Sequence, residues 1–165
     1  MMRKLILCSI FLCQISTADT LTLKHWNANS LQQLSTHYQQ RPFLLVFWSL
    51  ECPACYKEFE ALSTWKKNHH NSHLVIVSTD PLDMEDEVKN VLVEYELTQS
   101  DVWIFSNEPS AKIRNSIDST WFGELPRSYF FDTQHQSHAH SGALTSTQLK
   151  KWQSFIIKKA TKNAH

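Results

Sequence analysis

The sequence predicts an α/β domain, in which one sheet carries helices on both of its faces. Four short apolar runs, rich in β-branched and aromatic residues, are continuous rather than alternating, which is typical of strands buried on both faces. These runs are residues 43–48, 74–77, 102–105 and 128–131. The segments between them repeat apolar residues at helical spacing, and strands that alternate with helices favour a sheet covered on both sides. A length of 165 residues favours a single domain.

The helical pattern recurs in five segments. Helices are predicted to begin at Asn29 or Ser30, at Pro53, at Asp83, at Pro109 and at about Ser146. Proline suits the first position of a helix, because its missing N–H would be unbonded there in any case. The apolar stripe of the third helix is predicted at Met84, Val88, Val91 and Tyr95. Acidic residues crowd the first turn of that helix, where the helix dipole favours negative charge.

The composition excludes several functional classes. The sequence has 42% hydrophobic residues, which is too many for a disordered chain. Lys and Arg number 16 and Asp and Glu number 16, so no net positive charge indicates nucleic-acid binding. With 2 Gly in the whole sequence, a glycine-rich phosphate-binding loop is also excluded.

The first eighteen residues have the layout of a secretory signal peptide. The basic residues Arg3 and Lys4 precede an apolar stretch of about eleven residues, and small residues occupy positions 16–18. That stretch is shorter than the roughly 20 residues that span a membrane, although a retained anchor is the alternative. We therefore expect a signal peptide at 1–18, one domain at 19–165, and a periplasmic location. Removing two of the 16 basic residues leaves 14 against 16 acidic ones.

Two cysteines, Cys52 and Cys55, remain of the four once residues 1–18 are removed. Cys52 directly precedes Pro53 and would cap the helix, where unpaired N–H groups and the positive end of the dipole stabilise a thiolate. Cys55 lies three residues further on the same face, within reach of a disulfide. This spacing predicts thiol–disulfide exchange, in which Cys52 attacks a substrate disulfide and Cys55 resolves the mixed disulfide.

Glu58 follows Cys55 by another three residues and would lie near the same face of the helix. A carboxyl group on a partly buried face has a raised pKa, which suits proton exchange with Cys55. The alternative is an ordinary solvated carboxylate on the helix surface.

The cysteine pair has two other interpretations. A structural disulfide that closes a four-residue loop would gain roughly 2 kcal/mol, so the pair is poorly placed as a staple. Metal ligation needs more ligands, and the sequence has no second Cys-x-x-Cys. The nearest histidines, His135, His138 and His140, fall in a polar stretch that resembles a hairpin. We therefore assign neither a metal nor a cofactor to the site.

The segment from Phe47-Trp48 through Cys52-Pro-Ala-Cys55 to Lys57-Glu58 resembles the thioredoxin-like family, and most of all its exported TlpA/ResA-type thiol-disulfide oxidoreductases. The stretch Gly-Glu-Leu-Pro-Arg-Ser-Tyr-Phe-Phe-Asp at 123–132 reinforces the resemblance. The family's order of strands and helices fits residues 43–152, roughly two-thirds of the chain. The resemblance implies a thioredoxin-like fold with a mixed central sheet, an N-terminal extension and a central β/α insertion around residues 83–105.

The same resemblance implies roles for three further residues. Pro126 would follow a cis peptide bond and pack against the cysteines, and the backbone of Leu125 would hold a substrate strand. Trp48 would lie beside the site, although a core aromatic explains it equally well. The implied activity is disulfide reduction, or less readily disulfide formation, in exported proteins. The implied partners are those proteins and a membrane thiol-disulfide electron donor or acceptor.

Two positions depart from the family pattern. Glu51 stands before the first cysteine, where Trp or Tyr is frequent, and its charge would oppose a thiolate at Cys52. Val46 stands where thioredoxins carry a buried Asp, so Glu58 or water would have to act as the general acid and base.

Two other functional classes compete with the oxidoreductase. A non-catalytic copper-handling or chaperone module could use the same scaffold, although copper-delivery relatives usually have one more residue between their cysteines. A peroxidase of the superfamily would not usually keep both cysteines on one helical turn.

Overall fold

The computed structural model describes residues 21–162, and it describes side chains up to residue 156. The predicted signal peptide at 1–18, with Cys8 and Cys13, lies outside the described residues. The strands are β1 (Lys24–Trp26), β2 (Phe43–Trp48), β3 (His73–Ser78), β4 (Asp101–Phe105), β5 (Arg127–Phe131) and β6 (Ser137–Ser141). The helices are α1 (Ser30–His37), α2 (Pro53–Asn68), α3 (Glu85–Glu94), α4 (Ser110–Ile117) and α5 (Ser146–Lys162).

The six strands form one mixed sheet in the order β1-β4-β3-β2-β5-β6. The four strands from β1 to β2 in this order are parallel to one another. β5 runs antiparallel to β2, and β6 runs antiparallel to β5. All six residues of β2, at the centre of the sheet, are buried. The predicted α/β class and mixed sheet are confirmed.

Helices cover both faces of the sheet, because successive residues of a strand point to opposite sides. Leu44, Val46 and Trp48 of β2 pack with the apolar residues of α2, α3 and α5. Phe43, Leu45 and Phe47 pack on the opposite face with residues of α1 and α4. The α2 residues that complete the first face are Cys55, Phe59, Leu62 and Trp65.

The topology brings several loops to one end of the strands, at the carboxyl ends of β2 and β3, which we call the active-site edge of the sheet. Since β2 and β3 are parallel, residues 49–52 and 79–81 both follow strands at their carboxyl ends. Arg127, the first residue of antiparallel β5, pairs with Phe47 near the end of β2, so the loop 118–126 reaches the same edge. The motif Cys52-Pro-Ala-Cys55 therefore lies at an edge where three loops converge.

Three local predictions need correction. The four predicted strands omit β1, which has three residues, and β6, of sequence Ser-His-Ala-His-Ser, which lies in the polar stretch that resembles a hairpin and is mostly exposed at the edge of the sheet. The third helix begins as a 3-10 turn at Leu82–Met84 and becomes α-helical at Glu85. Leu92, rather than Val91, is its second fully buried residue.

Within residues 21–162, no helix is both long and apolar enough to cross a membrane.

Candidate active site

The cysteine pair lies at the start of α2, as the sequence predicts. Cys52 is the N-cap residue and Pro53 the first helical residue. Cys52 and Cys55 form a disulfide, with their Cα atoms 5.3 Å apart. The N–H of Cys55 donates to the carbonyl of Cys52 (2.9 Å), which closes the first turn over the motif.

The two sulfur-bearing residues differ in their access to solvent. Cys52 is 8% exposed and Cys55 is fully buried, and both belong to the core cluster on the α2 face of the sheet. A substrate disulfide can therefore approach Cys52 more easily than Cys55. A nucleophile at Cys52 and a resolving cysteine at Cys55 would need this order of access.

Glu58 is a fully buried carboxyl group one turn after Cys55. Its Oε1 accepts hydrogen bonds from Ser128 Oγ (3.1 Å) and from the N–H of Leu144 (3.3 Å). Its Oε2 is buried and has no hydrogen-bond partner among the described residues. Glu58 is therefore held in place by β5 and by the segment that precedes α5.

Burial raises the pKa of Glu58 from 4.5 to about 7, against the two hydrogen bonds from Leu144 and Ser128, which lower it. Burial dominates because two neutral donors replace the solvation of a full charge only in part. The predicted raised pKa is confirmed, and the interpretation of Glu58 as a solvated surface carboxylate is wrong. Near neutral pH this group can both take up and release a proton.

The loop before β5 has the backbone that the resemblance implied. The Leu125–Pro126 peptide bond is cis. Pro126 is buried, and its carbonyl accepts the N–H of Gly142 (2.9 Å). Half-buried Leu125 packs against the core clusters on both faces of the sheet. Because Arg127 pairs with Phe47, Pro126 precedes β5 next to the end of β2, at the edge that carries the cysteines.

Trp48 lies below the site rather than on its surface. Its ring is fully buried, with centroids 4.7 Å from Phe59 and 6.4 Å from Tyr56. A side chain with no exposed surface cannot touch a docked substrate without moving. The structure therefore favours the core-aromatic interpretation of Trp48.

The two positions that depart from the family pattern are also resolved. Glu51 is exposed, so solvent screens its charge beside Cys52. Val46 is fully buried in the apolar cluster that also holds Cys55. Position 46 therefore provides no carboxyl group. The buried carboxyl group on this face of the sheet is that of Glu58, which lies on α2 with Cys55.

Sequence reasoning missed two residues near this edge. Asp80 follows β3 and bonds to the loop that carries Cys52. Its position directly after a buried strand was the available signal. Phe122, in the loop before Pro126, is 87% exposed, an unusual state for an aromatic side chain.

The histidines named in the sequence analysis do not join the cysteines. His138 and His140 lie on β6, where they pair with Phe130 and Ser128 of β5. The ring of His135 contacts the carbonyl of Tyr38 (2.9 Å). Among residues 21–162, no group of three or more His, Cys, Asp or Glu side chains is arranged to hold a metal ion.

Solved structures of other proteins share this architecture. A secreted Mycobacterium tuberculosis disulfide oxidoreductase homologous to E. coli DsbE matches with a TM-score of 0.56 and 19% identity, over 71% of this chain and 83% of that one. The fold is thioredoxin-like. StoA from Bacillus subtilis matches with a TM-score of 0.52 and 20% identity, over 70% of this chain and 84% of that one. A thioredoxin-related protein from Neisseria meningitidis serogroup B matches with a TM-score of 0.58 and 19% identity, over 71% of this chain and 85% of that one.

No protein-family model and no curated protein matches this sequence. The likeness to the solved structures is one of fold, since sequence identity stays at or below 20% in these three. What this thioredoxin-like chain does must therefore be argued from its own residues.

Proposed function

We propose that this protein is an exported thiol-disulfide oxidoreductase that reduces disulfide bonds of periplasmic proteins at Cys52 and Cys55. The observation that carries the proposal is the cysteine pair at the start of α2, with Cys52 8% exposed, Cys55 fully buried and the buried carboxyl of Glu58 one turn further. Each part has a purpose in disulfide exchange, whereas a structural staple would need neither a partly exposed cysteine nor the carboxyl.

The exchange proceeds in two displacements and moves two electrons. In the reduced protein the Cys52 thiolate attacks one sulfur of a substrate disulfide, and the other substrate sulfur leaves as a thiolate. The Cys55 thiolate then attacks the Cys52 sulfur of the mixed disulfide. This step releases the second substrate thiolate and leaves the Cys52–Cys55 bond, the form seen here.

Glu58 supplies the proton chemistry of the second displacement. Cys55 must lose its proton before it can attack, and a thiol buried in an apolar cluster resists ionisation. With a pKa of about 7, the Glu58 carboxylate can accept that proton when the resolving step begins. The protonated carboxyl can return it when Cys55 is next released as a leaving group.

The loop at Leu125 and Pro126 is the proposed holding surface for substrate. It reaches the edge of the sheet where Cys52 is presented, and the bond from Gly142 fixes its backbone. An extended substrate segment that pairs with the backbone of Leu125 would bring its disulfide to Cys52. Trp48 supports α2 from the core and has no part in this contact.

Export and the electron source complete the proposal. Residues 1–18 would direct the chain out of the cytoplasm, leaving one domain at 19–165. A reductase in an oxidising compartment has to be re-reduced after each turnover, so a membrane thiol-disulfide donor is the proposed second partner. The solved structures include one protein named as secreted, which is consistent with export.

The proposal is tested by trapping. In Cys55→Ser the resolving sulfur is absent, so mixed disulfides through Cys52 should accumulate when the protein is expressed in its own compartment. Cys52→Ser is the matched control and should trap none. The wild type should reduce insulin in the presence of dithiothreitol. The absence of any adduct together with tight stoichiometric copper binding and no insulin reduction would favour the metal-handling alternative instead.

A further inference from the structure

Asp80 is bonded to the loop that presents Cys52. It follows β3 and is 8% exposed. Its Oδ1 accepts a hydrogen bond from Ser49 Oγ (2.9 Å), and its Oδ2 accepts one from the N–H of Leu50 (3.0 Å) and one from Ser78 Oγ (2.6 Å). Three donors therefore converge on this carboxylate, and two of them belong to residues 49–52.

The hydrogen bonds continue from Ser49 to Cys52. Ser49 Oγ accepts the N–H of Glu51 (3.2 Å), and the Ser49 carbonyl accepts the N–H of Cys52 (3.1 Å). The backbone N–H groups of Leu50, Glu51 and Cys52 are thus all bonded to Asp80 or Ser49. A carboxylate on β3's loop thereby fixes the path of the chain into the first cysteine.

The charge of Asp80 also reaches the first turns of α2. Burial raises the pKa of Tyr56, and the charge of Asp80 raises it further. Tyr56 lies four residues after Cys52, and its hydroxyl donates to the carbonyl of Leu50 (2.8 Å). A negative charge that opposes ionisation at Tyr56 opposes a thiolate at Cys52 in the same way.

We propose that Asp80 is a positioning residue that holds the Cys52 loop in place and makes the Cys52–Cys55 couple more reducing. A disulfide couple becomes more oxidising when its thiolate is stabilised, so a nearby buried negative charge acts in the opposite direction. This inference rests on the proposed function and gives a reason for its reductase direction. It assigns the effect to a residue outside the cysteine motif.

Other ionisable groups lie on the elements that meet at this end of the strands, and the test has to hold them constant. They are Glu51 on the same loop, Tyr56, Lys57 and Glu58 on α2, and Glu124 and Arg127 at the start of β5 and just before it. Replacing Asp80 by Asn keeps the size of the side chain and removes one charge, so these groups remain in every variant. The amide oxygen can still accept from Leu50 and Ser78.

The experiment measures Asp80→Asn against the wild type in two ways. The Cys52 thiol pKa is followed by thiolate absorbance, and the Cys52–Cys55 equilibrium is measured in glutathione buffers. We expect the thiol pKa to fall by about one unit and the equilibrium to shift about tenfold towards the reduced protein, which is about 30 mV for a two-electron couple. An unchanged thiol pKa and equilibrium in a folded Asp80→Asn protein would overturn the proposal.

Asp132→Asn is the matched control. Asp132 is 7% exposed, and its Oδ1 likewise accepts two backbone N–H groups, those of Gln134 (2.7 Å) and Gln136 (3.1 Å). It lies at the far end of β5, at the opposite edge of the sheet from Cys52. Its removal should leave the thiol pKa and the equilibrium at the wild-type values. A shift equal to that of Asp80→Asn would show a general effect of charge and count against the proposal.

Ser49→Ala tests whether the bond to Asp80 holds the Cys52 loop in place, and it can be measured even if Asp80→Asn does not fold. It removes one donor to Asp80 and the acceptor of the Glu51 N–H, while the carboxylate keeps its charge. Amide hydrogen exchange at Glu51 and Cys52 should become about fivefold faster, the factor expected for one lost hydrogen bond. Exchange at the wild-type rate would refute the positioning role.

The two proposals fail in different ways. The glutathione equilibrium and the thiol titration need no protein substrate, so they measure the effect of Asp80 on the cysteines directly. If the wild type reduces no protein disulfide and traps no partner, the proposed function fails, whatever the outcome at Asp80. If the wild type is active and Asp80→Asn leaves the couple unchanged, the inference about Asp80 fails alone.

Discussion

Replacing Glu58 by Gln should change how the free energy of unfolding depends on pH. The pKa of Glu58 is about 7 in the folded protein against an ordinary value of 4.5, a difference of about 2.5 units. Each unit is worth about 1.4 kcal/mol, so the folded state is favoured by about 3.5 kcal/mol more when the carboxyl is protonated than when it is ionised.

The sign of the effect follows from where the proton is held. Between pH 4.5 and about 7 the folded protein keeps a proton that the unfolded chain has released. The stabilisation is therefore complete below pH 4.5, and it is lost as the pH rises through about 7. Glutamine does not ionise, so the Glu58→Gln protein lacks this loss. Its unfolding free energy relative to the wild type should rise by about 3 kcal/mol between pH 4 and pH 8.

Urea denaturation of both oxidised proteins at pH 4 and pH 8 measures this difference. Other groups that titrate in this range, such as His73, are present in both proteins and cancel. Glu60, exposed on the same helix, provides the control, since Glu60→Gln makes the same chemical change at a position where burial does not oppose the charge. If the difference between Glu58→Gln and the wild type is the same at pH 4 and pH 8, Glu58 does not have the raised pKa on which its proposed role depends.

Two further predictions concern the surroundings of Glu58 and of the helix. Ser128→Ala removes a hydrogen bond that lowers the pKa of Glu58, so this pKa should rise further above about 7. NMR titration of the carboxyl carbon measures it, and an unchanged or lower value would contradict the contact. Phe59→Ala empties a fully buried position against Trp48 and should cost about 3–5 kcal/mol in urea denaturation, whereas Phe122→Ala, at an exposed position, should stay within about 0.5 kcal/mol. Equal costs for these two phenylalanines would refute the assignment of the core.

The central elements of the fold were predictable because they are buried on both faces. The run at 43–48 has no polar residue to obscure its pattern, and it became the fully buried strand β2. β6 could not be recognised, since a strand at the edge of the sheet needs no apolar residues and Ser137–Ser141 contains one alanine among serines and histidines. β1 is three residues long, which is too short for any periodicity.

In the candidate site too, some residues were predictable from the sequence and others were not. Cys52, Cys55 and Glu58 are spaced at three residues on one helix, so local geometry places them together before any tertiary structure is known. Asp80 follows β3, 28 residues after Cys52, and Ser128 lies on β5, 70 residues after Glu58. Only the sheet brings Asp80 to the loop before α2 and Ser128 to Glu58. Asp80 carries one local signal, its position directly after a buried strand, but nothing in the sequence near either residue shows that it contacts α2 or the loop before it.

The unequal access to the two sulfurs has a consequence for oxidative damage. Peroxide that meets the reduced protein reaches Cys52 first and converts it to a sulfenic acid. The neighbouring Cys55 thiol can then condense with it, forming the intramolecular bond and releasing water, before a second oxidant makes the lesion irreversible. A buried second sulfur one helical turn away thus protects the first against overoxidation.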